Sequence, residues 1–97
     1  MLLPTIVIEF IGTFICSLSI YIAHNFHQFV IPFIIGLTYL IMLFPNLISY
    51  GGYFNPVITL TLFLNSDINI KKFIILVIIQ VIAAVCALLV YKHIISI

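Results

Sequence analysis

Ser49-Tyr50-Gly51-Gly52-Tyr53-Phe54-Asn55-Pro56-Val57-Ile58-Thr59-Leu60-Thr61-Leu62-Phe63-Leu64 is the stretch whose reading decides the fold. Its first half is turn-forming, with paired glycines and an Asn-Pro step. Its second half, Val57 to Leu64, is apolar and only about eight residues long, or ~12 Å as a helix. That is under half of the ~30 Å hydrocarbon core of a bilayer. Such a piece is too short to cross a membrane and too apolar to lie in water. A re-entrant half-helix meets both conditions, provided that its backbone is buried in protein or lines a cavity. Asn55 suits an N-cap, and Pro56 suits the first helical position, where a missing N–H costs nothing. Asn65-Ser66-Asp67 closes the segment with polar turn residues.

The surroundings are those of a membrane protein. The 97 residues are 66% hydrophobic and 5% charged, with mean hydropathy +1.49, which leaves too few polar residues to coat a small soluble domain. Three apolar segments flank the decisive stretch: a first helix at about 2–23, a second at about 29–47 and a third at about 71–92. The run of the second, Phe29 to Phe44, is slightly short for a span, and Pro45-Asn46-Leu47 extends it to the interface. The expected architecture is an all-α membrane protein of three transmembrane helices plus one re-entrant half-helix, with the loop and half-helix at about 49–65. Residues 1–97 form a single unit, multi-pass in the bilayer. Lys71 and Lys72 precede the third span and Lys92 follows it, so the lysine pair places that loop, and the N-terminus, on the cytoplasmic side. The first stretch has no basic leader and no small-residue cleavage site, and is not expected to be a removable signal peptide.

Several function classes drop out. A net charge of +1 offers no basic patch for nucleic acid. Cys16 and Cys86 sit in separate apolar runs and read as small packing residues. His24, His27 and His93 read as solvated interfacial residues, without the carboxylates or thiolates of a metal site. No nucleophile–base pair is apparent, so neither an enzyme, a cofactor nor a metal is expected. Tyr21, Tyr50, Tyr53 and Tyr91 suit interfacial anchors.

Asn55-Pro56-Val57 is the chemical centre. A half-helix starting at the bilayer midplane presents unpaired N–H groups and the positive end of its dipole, and the Asn55 amide adds a donor for a passing oxygen. That combination orients water or a hydroxyl and disfavours cations. Glu9 is the other informative residue: a carboxylate inside a membrane helix must face the bundle and find partners. Gly12 and Gly36 permit close helix approach, and Gly51 with Gly52 permits a tight turn.

These residues resemble the major intrinsic proteins, the aquaporin and glycerol-facilitator family. Gly51-Gly52-Tyr53-Phe54-Asn55-Pro56-Val57-Ile58-Thr59-Leu60 is similar to the family's first re-entrant loop, and Glu9-Phe10-Ile11-Gly12-Thr13-Phe14 to the opening of its first helix. Gly36-Leu37 and Gln80 fall at the family's spacing in the second and third helices. The resemblance implies that Glu9, assisted by Gln80, braces the backbone from Gly51 to Phe54. It implies that Asn55 orients the permeant, Pro56 starts the half-helix, and Val57 and Ile58 line the narrow region. Two departures stand out. Tyr53 replaces a histidine frequent in the family loop. The filter positions carry Ile35, where an aromatic is usual, and Ile58, where the family's second repeat has arginine; the sequence contains no arginine.

A family pore is an inverted repeat, and this sequence holds one Asn-Pro motif of the two. The resemblance therefore implies a passive channel for water or small neutral solutes such as glycerol, active as a homo-oligomer (an antiparallel dimer) or with a complementary family half. The alternative is a non-conducting truncated remnant or a regulatory membrane subunit.

Overall fold

Two long helices carry the structure, a computed structural model that describes residues 2–44 and 52–95. They are α1 (Leu2–Ala23) and α4 (Ile70–Val90), the latter continuing through a wider π-helical turn at Tyr91–Ile95. Between them lie α2 (Ile31–Leu43) and the short α3 (Pro56–Leu64), and every regular element among the described residues is helical. Leu3–Ala23 and Ile70–Ile95, at 21 and 26 residues, are long and apolar enough to cross a membrane. The 13 residues of α2 are apolar but reach only ~20 Å. The extension of the second helix through Pro45, Asn46 and Leu47 lies outside the described residues, as do Ser49, Tyr50 and Gly51.

Local chemistry sets the element ends. The Asn69 side chain accepts from Lys72 N–H at 2.8 Å and caps α4. At α3, Asn55 is extended (φ −153°, ψ 126°), its side chain accepts from Val57 N–H at 2.8 Å, and Pro56 follows at the first helical position. The far end of α3 closes with Ser66 in the left-handed region (φ 65°), Ser66 N–H on the Phe63 carbonyl and Asp67 N–H on the Leu62 carbonyl. This paired closure satisfies carbonyls that a free helix end would leave open. Phe63 then stacks on Phe73 of α4, with ring centroids 4.8 Å apart.

The main packing seam joins α1 to α4. Its α4 side carries Leu76, Gln80, Ala83 and Ala87, all buried and spaced four, three and four residues apart. The buried residues of α1 are Thr5, Glu9, Gly12, Thr13, Cys16, Ser19 and Ala23, of which Glu9 reaches Gln80 of α4 and Gly12 faces the Phe54 ring. Glu9 meets Gln80 and Asn25 meets Tyr91, so the two helices run in the same direction. Small residues let the backbones approach, as they do between helices in lipid. α2 packs on α1 without burying a residue fully, and α3 packs on α4 through Thr59.

Exposure is inverted relative to a soluble fold. Leu3, Val7, Ile11 and Ile15 line the outer face of α1, and Ile74, Ile78, Ile82, Val85 and Leu89 that of α4. The buried residues include Thr5, Glu9, Thr13, Ser19, Thr59 and Gln80. Polar inside and apolar outside is the arrangement that lipid, not water, rewards. Cys16 and Cys86 are both free thiols, and His24, His27 and His93 are exposed.

Ala83 is completely buried, whereas Ile82 is 47% exposed. Ala83→Leu is expected to lower stability by about 1–3 kcal/mol through overpacking, and Ile82→Leu by less than about 0.5 kcal/mol. Reversible unfolding in mixed micelles, followed by helical circular dichroism, checks both.

Candidate functional site

A single carboxylate organises the centre of the molecule. Glu9 is completely buried on α1. Its Oε2 accepts from the N–H groups of Gly52 and Tyr53, both at 2.8 Å, and its Oε1 from Phe54 N–H at 2.9 Å. Three successive backbone donors thus converge on one side chain. Non-helical backbone inside a helical bundle has no ladder to join, and each N–H left open there would cost about 1–3 kcal/mol. Gly52 at φ 96° supplies the turn that an L side chain resists.

From Glu9 the hydrogen bonds continue to α3. Gln80 Nε2 donates to Glu9 Oε1 at 3.2 Å and to Thr59 Oγ1 at 2.7 Å. Thr59 Oγ1 in turn donates to the Asn55 carbonyl at 2.9 Å. The Asn55 backbone is therefore tied to α1 and α4 through two side chains. Its side-chain oxygen is occupied by Val57 N–H, which leaves the Asn55 amide N–H groups as the donors on offer. Thr13 Oγ1 and Gln80 Oε1 are buried without a hydrogen-bond partner among the described residues.

Beside Asn55 lies a cavity of about 330 Å³. α1 contributes Thr13, Ser17 and Tyr21, α2 contributes Tyr39, and the segment leading into α3 contributes Phe54, Asn55 and Pro56. Gln80, Val81, Ala84, Val85 and Leu88 of α4 complete the wall. One side is hydroxyl- and amide-bearing and the other aliphatic, a lining suited to small polar molecules without charge.

The structure brings Glu9, Gly52, Asn55, Pro56 and Gln80 together at this centre, while Gly51 lies outside the described residues. Val57 and Ile58 are 68% and 41% exposed and, like Ile35, are not among the residues lining the cavity. Tyr39, one turn along α2 from Ile35, lines it instead, with its hydroxyl 3.5 Å from the Phe54 carbonyl. Sequence reasoning missed Thr13, Ser17, Tyr39 and Thr59. A signal for the first two was present: Glu9, Thr13, Ser17 and Tyr21 recur every four residues and form a polar stripe along an otherwise apolar helix.

Glu9→Gln replaces an acceptor-only group with one that also donates, so at least one of the three backbone N–H groups loses its partner. The expected cost is about 1.5–3 kcal/mol, and Glu9→Ala costs more. Unfolding in mixed micelles measures the loss, and faster hydrogen exchange at Gly52, Tyr53 and Phe54 locates it.

A sequence model of the major intrinsic protein family matches residues 2–97. No curated protein and no solved structure matches the chain. The family is one of integral membrane channels for water and small solutes, not of enzymes. With the match extending over nearly the whole sequence, the chain belongs to the major intrinsic protein family.

Proposed function

We propose that the chain forms half of a passive channel for water or small neutral solutes such as glycerol, with α1, α2 and α4 as three crossings and α3 as a re-entrant half-helix. The observation that carries this reading is the double anchoring of Asn55. Val57 N–H holds its side-chain oxygen and Thr59 holds its carbonyl, so its amide hydrogens are presented at the positive end of α3 beside the cavity. A water or hydroxyl oxygen accepts from such a donor, whereas a cation is repelled by the same dipole. In this reading Glu9, Gln80, Gly51 and Gly52 brace the loop. Val57, Ile58 and Ile35 face the narrow region once the pore is completed, and the loop carrying Lys71 and Lys72 is cytoplasmic.

Completion needs a second half. Val57 and Ile58, at the start of the half-helix, are exposed, and lipid offers no partner for the backbone donors of a helix start. A second copy inserted in the opposite orientation, giving an antiparallel dimer with two Asn55 groups at its centre, supplies the cover. So does a complementary family half. The same exposed start supports a second reading, in which the chain is a non-conducting remnant or regulatory subunit that docks on complete channels.

Stopped-flow osmotic shrinkage of liposomes separates the two. The channel reading expects water or glycerol permeability above empty liposomes. It expects Asn55→Asp to lower that increment at least about tenfold, equivalent to ~1.4 kcal/mol in the barrier. Permeability equal to that of empty liposomes, from inserted and helical protein, supports the non-conducting reading. Crosslinks that find the termini in only one orientation exclude the antiparallel dimer.

A further inference from the structure

Glu9 secures the N–H groups of residues 52 to 54, but those bonds stop short of the half-helix. Between the last of them and Asn55 stands Phe54, which is 2% exposed and holds φ 58°. The left-handed region is uncommon for a bulky residue and persists where the surroundings over-determine it. Three contacts do so here. Phe54 N–H is on Glu9 Oε1, the Phe54 carbonyl faces the Tyr39 hydroxyl, and the ring lies against Gly12 of α1. The last contact is the tightest: a Cβ on Gly12 would overlap the ring at Cε1, Cδ1 and Cζ. At Gly36, by contrast, an added Cβ meets nothing within 4 Å. The glycine in α1 is thus a socket for an aromatic ring, while the glycine in α2 is not.

We propose that Phe54 is the positioning residue of the site: its ring, seated in the notch that Gly12 leaves in α1, fixes the left-handed turn that aims the Asn55 amide at the cavity. The role is distinct from that of the carboxylate. Glu9 determines where the non-helical backbone of residues 52 to 54 runs, and the ring determines the direction in which the chain leaves it to begin α3. Lipid supplies no hydrophobic drive between protein surfaces, so a ring held this way depends on close van der Waals fit. One methyl group at position 12 removes that fit. The inference deepens the channel reading and rests on it for the role of the Asn55 amide; the packing that carries it is independent of conduction.

Solid-state NMR in lipid bilayers tests it. Phe54-Asn55 is the sole Phe-Asn step in the sequence, which has no Ala-Asn step, so carbonyl-labelled Phe (carbonyl-labelled Ala where residue 54 is alanine) with labelled Asn isolates the Asn55 signals. Gly12→Ala is expected to shift the Asn55 backbone and side-chain nitrogen signals beyond their line widths, Phe54→Ala to shift the side-chain signal, which the change of the preceding residue does not reach directly, and both to speed exchange of the Asn55 backbone amide at least about tenfold, equivalent to ~1.4 kcal/mol. Gly36→Ala leaves both unchanged. The double variant Gly12→Ala/Phe54→Ala is expected to match Phe54→Ala alone, because the new methyl group has no ring to strike. An unchanged Asn55 side-chain signal in inserted, helical Phe54→Ala protein would overturn the proposal. So would a Gly12→Ala effect that persists at full size when residue 54 is alanine. Should Gly12→Ala fail to insert, Phe54→Ala decides alone. Osmotic permeability of the same liposomes separates the two readings. A silent wild type with the expected Asn55 shifts refutes the channel and upholds the positioning role, whereas a conducting wild type with unmoved Asn55 signals does the reverse.

Discussion

A carboxylate buried in the bundle meets a piece of backbone that has no secondary structure to satisfy it, and the rest of the molecule follows from that contact. The N–H groups of Gly52, Tyr53 and Phe54 need an acceptor, and Glu9 needs donors. Either alone would be costly in an apolar surrounding; together they permit a non-helical segment to lie among the helices. Because Glu9 sits within α1 and Gln80 within α4, the contact also fixes the register of the two long helices. α3 can then be short, since its start is held by Thr59 and Asn55 and its end by the turn at Ser66.

The same economy explains where polar residues occur. α1 is a polar stripe of Glu9, Thr13, Ser17 and Tyr21 on an apolar rod, and the stripe turns inward. Small residues on α4, Ala83 and Ala87, let that stripe come close. Thr13, Ser17 and Tyr21 of that stripe line the cavity beside Asn55, so its hydroxyl-bearing wall continues the pattern that begins at Glu9. Glu9 and Thr59 act as scaffold, and Asn55, one hydrogen bond further on, keeps donors to spare.

What could be read from the sequence was what short-range chemistry controls. An Asn-Pro start and an Asn-Ser-Asp finish are signals carried within a few residues, and so is the inverted composition that points to lipid. Membership of the family was legible because Glu9, Gly36, the Gly-Gly-Tyr-Phe-Asn-Pro-Val loop and Gln80 keep their spacing over the chain. Tyr39, Thr13 and Thr59 were not legible as site residues. Their places depend on how α1, α2 and α3 are rotated about their axes, which is settled by contacts between residues up to 71 positions apart. Gly12 shows the same limit: its helix-approach reading said nothing of the aromatic ring it accommodates. Ile35 marks the opposite case, where a family position suggested the lining and the residue one turn away, Tyr39, supplies it in this cavity.

The most direct test of the account is the distance between Glu9 and the loop in a bilayer. Dipolar recoupling between a labelled Glu9 carboxyl carbon and the backbone nitrogens of Gly52, Tyr53 and Phe54 reads it without reference to conduction. The account predicts strong coupling to all three, with separations of about 4 Å, as hydrogen bonds of ordinary length require. Absence of coupling in folded, inserted protein, together with rapid solvent exchange at those three amides, would contradict it, because α3 would then have lost the support from which the candidate site is built.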